Sequence, residues 1–136
     1  MHNPDCLFCK IAQGTIPCHK IYEDQHTLAF LDIKQVNEGH TLVIPKEHCE
    51  NIFDVDKETL TCTMLTVKKV ALTIKKALGL TGINISTNNG KPGQEIFHLH
   101  FHIIPRFEND GLIMWPAKTP TPEQLKIMAE KIRKAF

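Results

Sequence analysis

The sequence predicts an α+β domain built on an antiparallel sheet. Between residues 19 and 45, short runs rich in β-branched and aromatic side chains alternate with polar turns, the pattern of hairpin-connected strands. Helical periodicity is confined to one long stretch after them and to the two ends of the chain, so helices and strands are segregated. Late in the chain, residues 98 to 102 read His-Leu-His-Phe-His, a strict alternation that suits a strand.

Residues 5 to 13 (DCLFCKIAQ) predict a short helix with Asp5 as N-cap and Gly14 as its stop, which puts Cys6 and Cys9 on the first turn. After Ile16 and Pro17, His19 to Glu23 and Thr27 to Ile33 read as two strands joined by the polar turn Asp24, Gln25, His26. A loop with Asn37 and Gly39 leads to a third strand, His40 to Pro45 (HTLVIP). Asp56 to Leu78 predicts the long helix: Leu60, Met64, Val67, Val70, Ala71, Ile74, Ala77 and Leu78 follow the i, i+3, i+4 rule, and Gly79 ends it. Gly82 to Thr87 alternates as a fourth strand and runs into the turn-rich loop Asn88 to Glu95. The histidine strand follows, with Pro105 as its stop. Residues 107 to 120 read as irregular, and Thr121, Pro122 and Gln124 make a capping-box start for a last helix to Ala135. No repeat or second domain is visible, so residues 1 to 136 are expected to form one domain.

At 136 residues, 42% apolar and 23% charged, the chain is composed like an ordinary soluble globular protein. A net charge of +1 and the absence of a basic stripe argue against a nucleic-acid or membrane surface. Met1 to Lys10 lacks an apolar signal-peptide core, and no apolar run approaches the roughly 20 residues of a membrane span, so a cytoplasmic location is expected. Five cysteines, an odd number, argue against a disulfide framework. Cys6 and Cys9 form a C-x-x-C pair, whereas Cys18, Cys49 and Cys62 read as plain small side chains.

On a strand, His98, His100 and His102 share one face, about 6 to 7 Å apart, while Leu99, Phe101 and Ile103 line the other. Three imidazoles in a row are costly to bury without partners. A solvated strand face or an accidental metal binder is the bland explanation; a chemical site is the sharper one. Imidazole titrates near neutral pH, so one ring can attack as a nucleophile while a neighbour carries the leaving group's proton. Other candidates are ambiguous on pattern alone. Asp32 reads equally as a strand-end turn cap, and His40 and His48, each taken alone, read more readily as loop residues with no role. The loop Asn88 to Glu95 offers backbone N–H groups and the Asn89, Lys91 and Gln94 side chains to an anion, or is simply a turn.

His98-Leu99-His100-Phe101-His102-Ile103-Ile104 matches the His-φ-His-φ-His-φ-φ signature, φ being apolar, of the histidine triad superfamily. CLFCKI, the Ile16-Pro17 pair, AFLDI, GHTLVIPKEH ending at His48, and the NNG and GQ before the triad fit as well. The chain thus resembles bacterial Hit-type proteins of the branch related to the Hint hydrolases over residues 5 to about 106, leaving 107 to 136 as a variable C-terminal segment. The resemblance implies a five-stranded antiparallel sheet with one long helix and short terminal helices, and a homodimer formed through the long helix and adjoining strand. It implies hydrolysis of purine nucleoside phosphoramidates, mixed anhydrides or dinucleoside polyphosphates at the α-phosphorus. His100 would form the nucleotidyl-histidine intermediate, His102 would pass a proton to the leaving atom, and His40 would be a fourth active-site histidine. Asp32 matches the carboxylate that accepts from the ribose hydroxyls. Phe8, Ile16, Phe30 and Ile33 match the apolar slot for the base, and Asn88 the asparagine before the phosphate loop. The phosphoryl oxygens need fixed donors, expected from the Gln94 side chain and the backbone N–H groups of 93 to 96, Ile96 included.

Cys6, Cys9, His48 and His98 supply two thiolates and two imidazoles, a set suited to structural tetrahedral zinc, and zinc-bearing relatives resemble this chain at all four positions. A redox pair or two reduced thiols would give the same C-x-x-C. One departure bears on function: many Hint proteins have Ser where this chain has Glu95, which questions phosphoramidate preference. The uridylyltransferase branch replaces the last triad histidine with glutamine, whereas here it is His102, which favours hydrolysis. A nucleotidyltransferase, a DNA-repair relative with an appended finger, and a nucleotide-binding scaffold with vestigial chemistry are the rival readings.

Overall fold

Strands β1 (Lys20–Glu23), β2 (Thr27–Leu31), β3 (Thr41–Pro45), β4 (Gly82–Ser86) and β5 (Phe101–Arg106) form one antiparallel sheet in the order β1-β2-β3-β5-β4. Three helices accompany it: α1 (Leu7–Ala12), α2 (Lys57–Leu78) and α3 (Pro122–Arg133). The structure is a computed structural model that describes all residues, Met1–Phe136. Asp24 tightens the β1–β2 hairpin, its Oδ1 accepting from the backbone of His26 and Thr27, both at 2.8 Å.

The two faces of the sheet carry separate cores. α2 lays Val67, Val70 and Ile74 against Ala29, Val43, Leu99, Phe101 and Ile103. On the other face Phe8 of α1 packs with Leu28, Phe30, Leu42 and Ile44. Asp56 caps α2 by accepting from Thr59 N, and Gly79 ends it at φ +64°, a left-handed conformation that glycine adopts without steric cost. The buried stripe of α2 is turned from the expected one. Thr63 and Thr66 are buried, whereas Met64, Leu72 and Leu78 stay 41 to 59% exposed. Threonine is tolerated there because Thr66 Oγ1 bonds Thr27 Oγ1 at 2.8 Å and Thr63 Oγ1 donates to Thr59 O at 2.7 Å.

Several boundaries differ from the sequence expectation by a residue or more, three of them with a visible cause. α1 is capped by Cys6, not Asp5, because Asn3 holds Asp5 inside a preceding turn: Asp5 N donates to Asn3 Oδ1 and Cys6 N to Asn3 O. β2 stops at Leu31 because Asp32 turns the chain, its Oδ1 accepting from Lys34 N at 2.9 Å. β5 begins at Phe101, so only His102 of the triad lies in a hydrogen-bonded strand, and it runs through Pro105 to Arg106. The ladder to β3 starts at Val43↔Phe101 because Pro45 closes β3. Pro105 is tolerated because its carbonyl accepts from Asn37 Nδ2 on the side where β3 has already ended.

α3 carries the expected capping box, Thr121 with Gln124, but buries no residue; Leu125, Met128 and Ile132 are each more than half exposed. No helix is long and apolar enough to cross a membrane.

Candidate active site

The alternation through the triad survives although its first half is not laddered. Leu99 joins the α2-facing core. His98 and His100 are buried on the opposite side, where Phe8 of α1 stands edge-on to both rings, at 5.9 and 5.1 Å. His100 and His102 then line a cavity of about 770 Å3.

Hydrogen-bond partners assign the ring protons. Carbonyl oxygens only accept, so His100 Nδ1, 2.7 Å from His98 O, carries its proton and leaves Nε2 with a free lone pair. His98 Nε2, 2.8 Å from Pro45 O, likewise donates, which leaves Nδ1 bare. Val36 N donates to His40 Nδ1 at 3.1 Å, so His40 carries its proton on Nε2 and donates it to His102 Nδ1 at 2.9 Å. His102 therefore bears its own proton on Nε2. Burial keeps all four rings neutral: it pushes His98 and His102 down to about 4 and lowers His40 and His100. A lone pair on His100 and an N–H on His102 thus stand with ring centroids 5.0 Å apart.

Asp32 lies on the same cavity wall, its carboxylate fixed by Lys34 N and 3.6 Å from His40 Nε2. Asp32 therefore caps the turn and also lines the cavity. Phe8, Phe30, Ile16, Asn88 and Ile96 line the cavity, with Phe8 and Phe30 edge to face at 5.7 Å. Ile33 also lines it but is 87% exposed, at the mouth and not within a closed slot.

Gln94 departs from expectation. Its buried side chain accepts from Gly90 N (2.8 Å) and Asn51 Nδ2 (3.2 Å) and donates to Glu50 O (2.6 Å) and Ile96 O (3.0 Å). Every donor and acceptor is used, none faces the cavity, and the residue acts as a rivet for the loop. Asn89 is committed too, accepting from Ile52 N at 2.9 Å. The cavity wall at this loop is made by Asn88, Gly93, Glu95 and Ile96. Gly93 sits at φ +122°, a conformation L side chains rarely adopt. Sequence reasoning missed Cys18, His19 and Lys34 as wall residues; their place beside Ile16 and Asp32 was the available signal.

The bare Nδ1 of His98 faces Cys6 Sγ (3.3 Å), Cys9 Sγ (3.5 Å) and His48 Nδ1 (3.3 Å), and Cys9 Sγ lies 3.4 Å from His48 Nδ1. The four donor atoms lie within 4.8 Å of one another. Tetrahedral zinc with ordinary bond lengths spaces nitrogen from nitrogen by about 3.3 Å and nitrogen from sulfur by about 3.6 Å. Donor type and spacing therefore fit the ion, and the Pro45 carbonyl orients His98 as an outer partner does in metal sites.

Residues 13–109 match the HIT domain family. The Hit protein of Bacillus subtilis is 46% identical over 135 residues, covering 96% of this chain and 93% of its own. An adenosine 5'-monophosphoramidase of Schizosaccharomyces pombe is 42% identical over 130 residues, covering 93% and 95%. A crystal structure from Streptococcus mutans UA159 superposes with a TM-score of 0.91 at 43% identity, covering 98% of this chain and 86% of that one. A Bacillus subtilis HIT-family structure gives 0.88 at 44%, covering 97% of each. The five-stranded antiparallel sheet, the paired imidazoles on one wall of its cavity and these matches agree: the chain belongs to the HIT domain family.

Proposed function

We propose that the protein is a nucleotide hydrolase that cleaves purine nucleoside phosphoramidates at the α-phosphorus through a nucleotidyl group on His100. The observation that carries this reading is the pair of fixed tautomers, a free lone pair on His100 Nε2 beside an N–H on His102 Nε2. His100 Nε2 attacks phosphorus; the P–N(His) bond forms as the bond to the leaving amine breaks, and the amine takes the proton from His102 Nε2 while the His102 ring regains one from solvent, so that the ring ends neutral. Water then attacks phosphorus, returns its proton to solvent through His102 and releases His100 with the nucleoside monophosphate. Asp32 accepts from the ribose hydroxyls, and Phe8, Phe30 and Ile16 grip the base, with weak discrimination between purines because an apolar slot holds by area.

The cavity's charged side chains favour a single phosphate: Asp32, Glu95 and Lys34 give two carboxylates and one ammonium, ill matched to a polyphosphate chain. Two relatives support the reaction class, adenosine 5'-monophosphoramidases of Schizosaccharomyces pombe and Saccharomyces cerevisiae at 42% and 46% identity. Cys6, Cys9, His48 and His98 would hold a zinc ion, which crosslinks the chain when bound and leaves no position open for chemistry. Free thiols at all five cysteines suit a cytoplasmic location. The open edge of β4 beside exposed Met64, Leu65 and Leu72 of α2 suits a homodimer, which light scattering of wild type against Leu72→Glu tests.

The decisive experiment quenches the protein with adenosine 5'-phosphoramidate. A nucleotidyl adduct on His100, absent in His100→Ala while that variant still binds AMP, is the expected result. Normal turnover by His100→Ala would end the proposal.

A further inference from the structure

Two sites share one short element. Cys6 and Cys9, half of the thiol–imidazole cluster, flank Leu7 and Phe8, and Leu7, Phe8 and Ile11 of α1 form one wall of the cavity. A helix of six residues is too short to hold itself in water. α1 is held by the burial of Phe8 and Cys9, by the Asn3 turn before it, and by whatever joins Cys6 and Cys9 to His48 and His98. A second thread runs through His98 itself: its Nδ1 belongs to the cluster, and its carbonyl fixes the proton on His100 Nδ1 at 2.7 Å. Phe8 closes the circuit, its ring edge-on to both His98 and His100.

We propose that metal bound at Cys6, Cys9, His48 and His98 and nucleotide bound in the cavity strengthen each other through α1, with Leu7 and Phe8 as the positioning residues that link them. This inference rests on the function and metal reading above and adds an energetic coupling to it. The physical reason is shared ordering. Whichever ligand binds first fixes α1 and the His98–His100 backbone, so the second finds its wall already in place. Linkage requires the factor to be the same in both directions.

The test uses the full-length zinc-loaded protein. A chromogenic chelator competes for the metal with and without saturating AMP, and calorimetry measures the AMP Kd in loaded and metal-stripped protein. Zinc is expected to be held about 10-fold more tightly in the presence of AMP, within the usual range of such couplings, and AMP to bind more weakly by the same factor after stripping. Phe8→Leu, which keeps all four ligands, should bring the factor close to one, whereas Asp32→Asn should weaken AMP and leave the factor intact. If the stripped protein unfolds, the chelator competition alone measures the coupling.

Zinc affinity unchanged by AMP, in protein that binds AMP, overturns the coupling and leaves the functional reading standing. Loaded protein that binds no AMP overturns the functional reading and the coupling with it. Protein that takes up no zinc overturns the metal assignment and therefore the coupling.

Discussion

His40 Nε2 stands 2.9 Å from His102 Nδ1 and, because Val36 N donates to the far side of the His40 ring, the proton between the two rings belongs to His40. This places the other proton of the pair on His102 Nε2. His40 is thus a positioning residue that presents an acid it does not itself supply. His40→Phe keeps an aromatic ring in the space but removes the donor, so His102 is free to take either tautomer. Turnover of an alkylamine phosphoramidate is expected to fall about 100-fold, the low end of what a general acid contributes, with the AMP Kd within about twofold of wild type. A substrate whose leaving group needs no proton should lose far less. Equal losses on both substrates would show that His40 does something other than orient the acid.

The neutral state of the four imidazoles makes stability depend on pH with a definite sign. His40, His98, His100 and His102 all titrate below the ordinary histidine value in the folded chain, burial being the first cause, with His98 and His102 pushed down to about 4. Between about pH 6.5 and 4 the unfolded chain takes up protons that the folded chain refuses. The contribution is complete above about 6.5 and is lost as the pH falls. Urea midpoints should hold nearly level from pH 7.5 to about 6.5 and then drop towards pH 5, and His102→Asn should flatten that drop. Metal at His98 would act with the same sign, since it also excludes the proton. A midpoint independent of pH would contradict the neutral state of these buried rings.

The parts of the fold legible in the sequence are those governed by near neighbours. The capping box at Thr121 and Gln124, the Gly79 stop of α2 and the inward Leu99-Phe101-Ile103 alternation depend on spacings of two to four residues, and each is where the pattern put it. What escaped depends on distant partners. The late start of β5 follows from Pro45, and the burial of Thr66 from a hydroxyl on Thr27, 39 residues away. Gln94 reads as a phosphate donor in any local window, yet the groups that claim its side chain include Asn51 and Glu50, 43 and 44 residues earlier. The grouping of the imidazoles was legible because His98, His100 and His102 lie in one short segment; their tautomers were not, because Val36, Pro45 and His40 set them from elsewhere.

Gln94 accordingly makes a stability prediction and not a catalytic one. Gln94→Leu leaves Gly90 N, Asn51 Nδ2 and Glu50 O without the partner each now has, in a buried position. Unpaired buried groups cost about 1 to 3 kcal/mol each, but only the Asn51 bond is fully buried, and Gly90 N and Glu50 O lie where water can take part of the partner's place, so a loss of roughly 2 to 4 kcal/mol is expected by urea denaturation. Gln94→Glu should be nearly as damaging because a carboxylate cannot donate to Glu50 O and Ile96 O. Loss of turnover at full stability would restore the side chain to the phosphate site.

Glu95 is the neighbour that does face the cavity, and it makes the sharpest prediction about substrate. Glu95 shares the cavity wall with His100 and His102, and no cationic side chain forms an ion pair with it. A leaving group bearing further phosphates brings several negative charges towards it, whereas an amine brings none or a positive one. Two unit charges about 7 Å apart interact by about 0.6 kcal/mol in water and about 2 kcal/mol at the effective dielectric near a protein surface. Two or three extra charges on a polyphosphate therefore give Glu95 a lever of about 10-fold or more on kcat/KM. Glu95→Gln should raise kcat/KM for a dinucleoside polyphosphate by about that factor at low salt, with the gain shrinking as ionic strength rises. The same change should leave a neutral-amine phosphoramidate within about twofold and lower kcat/KM for a substrate whose leaving group carries an ammonium. If all three substrates respond alike, Glu95 does not sort leaving groups by charge.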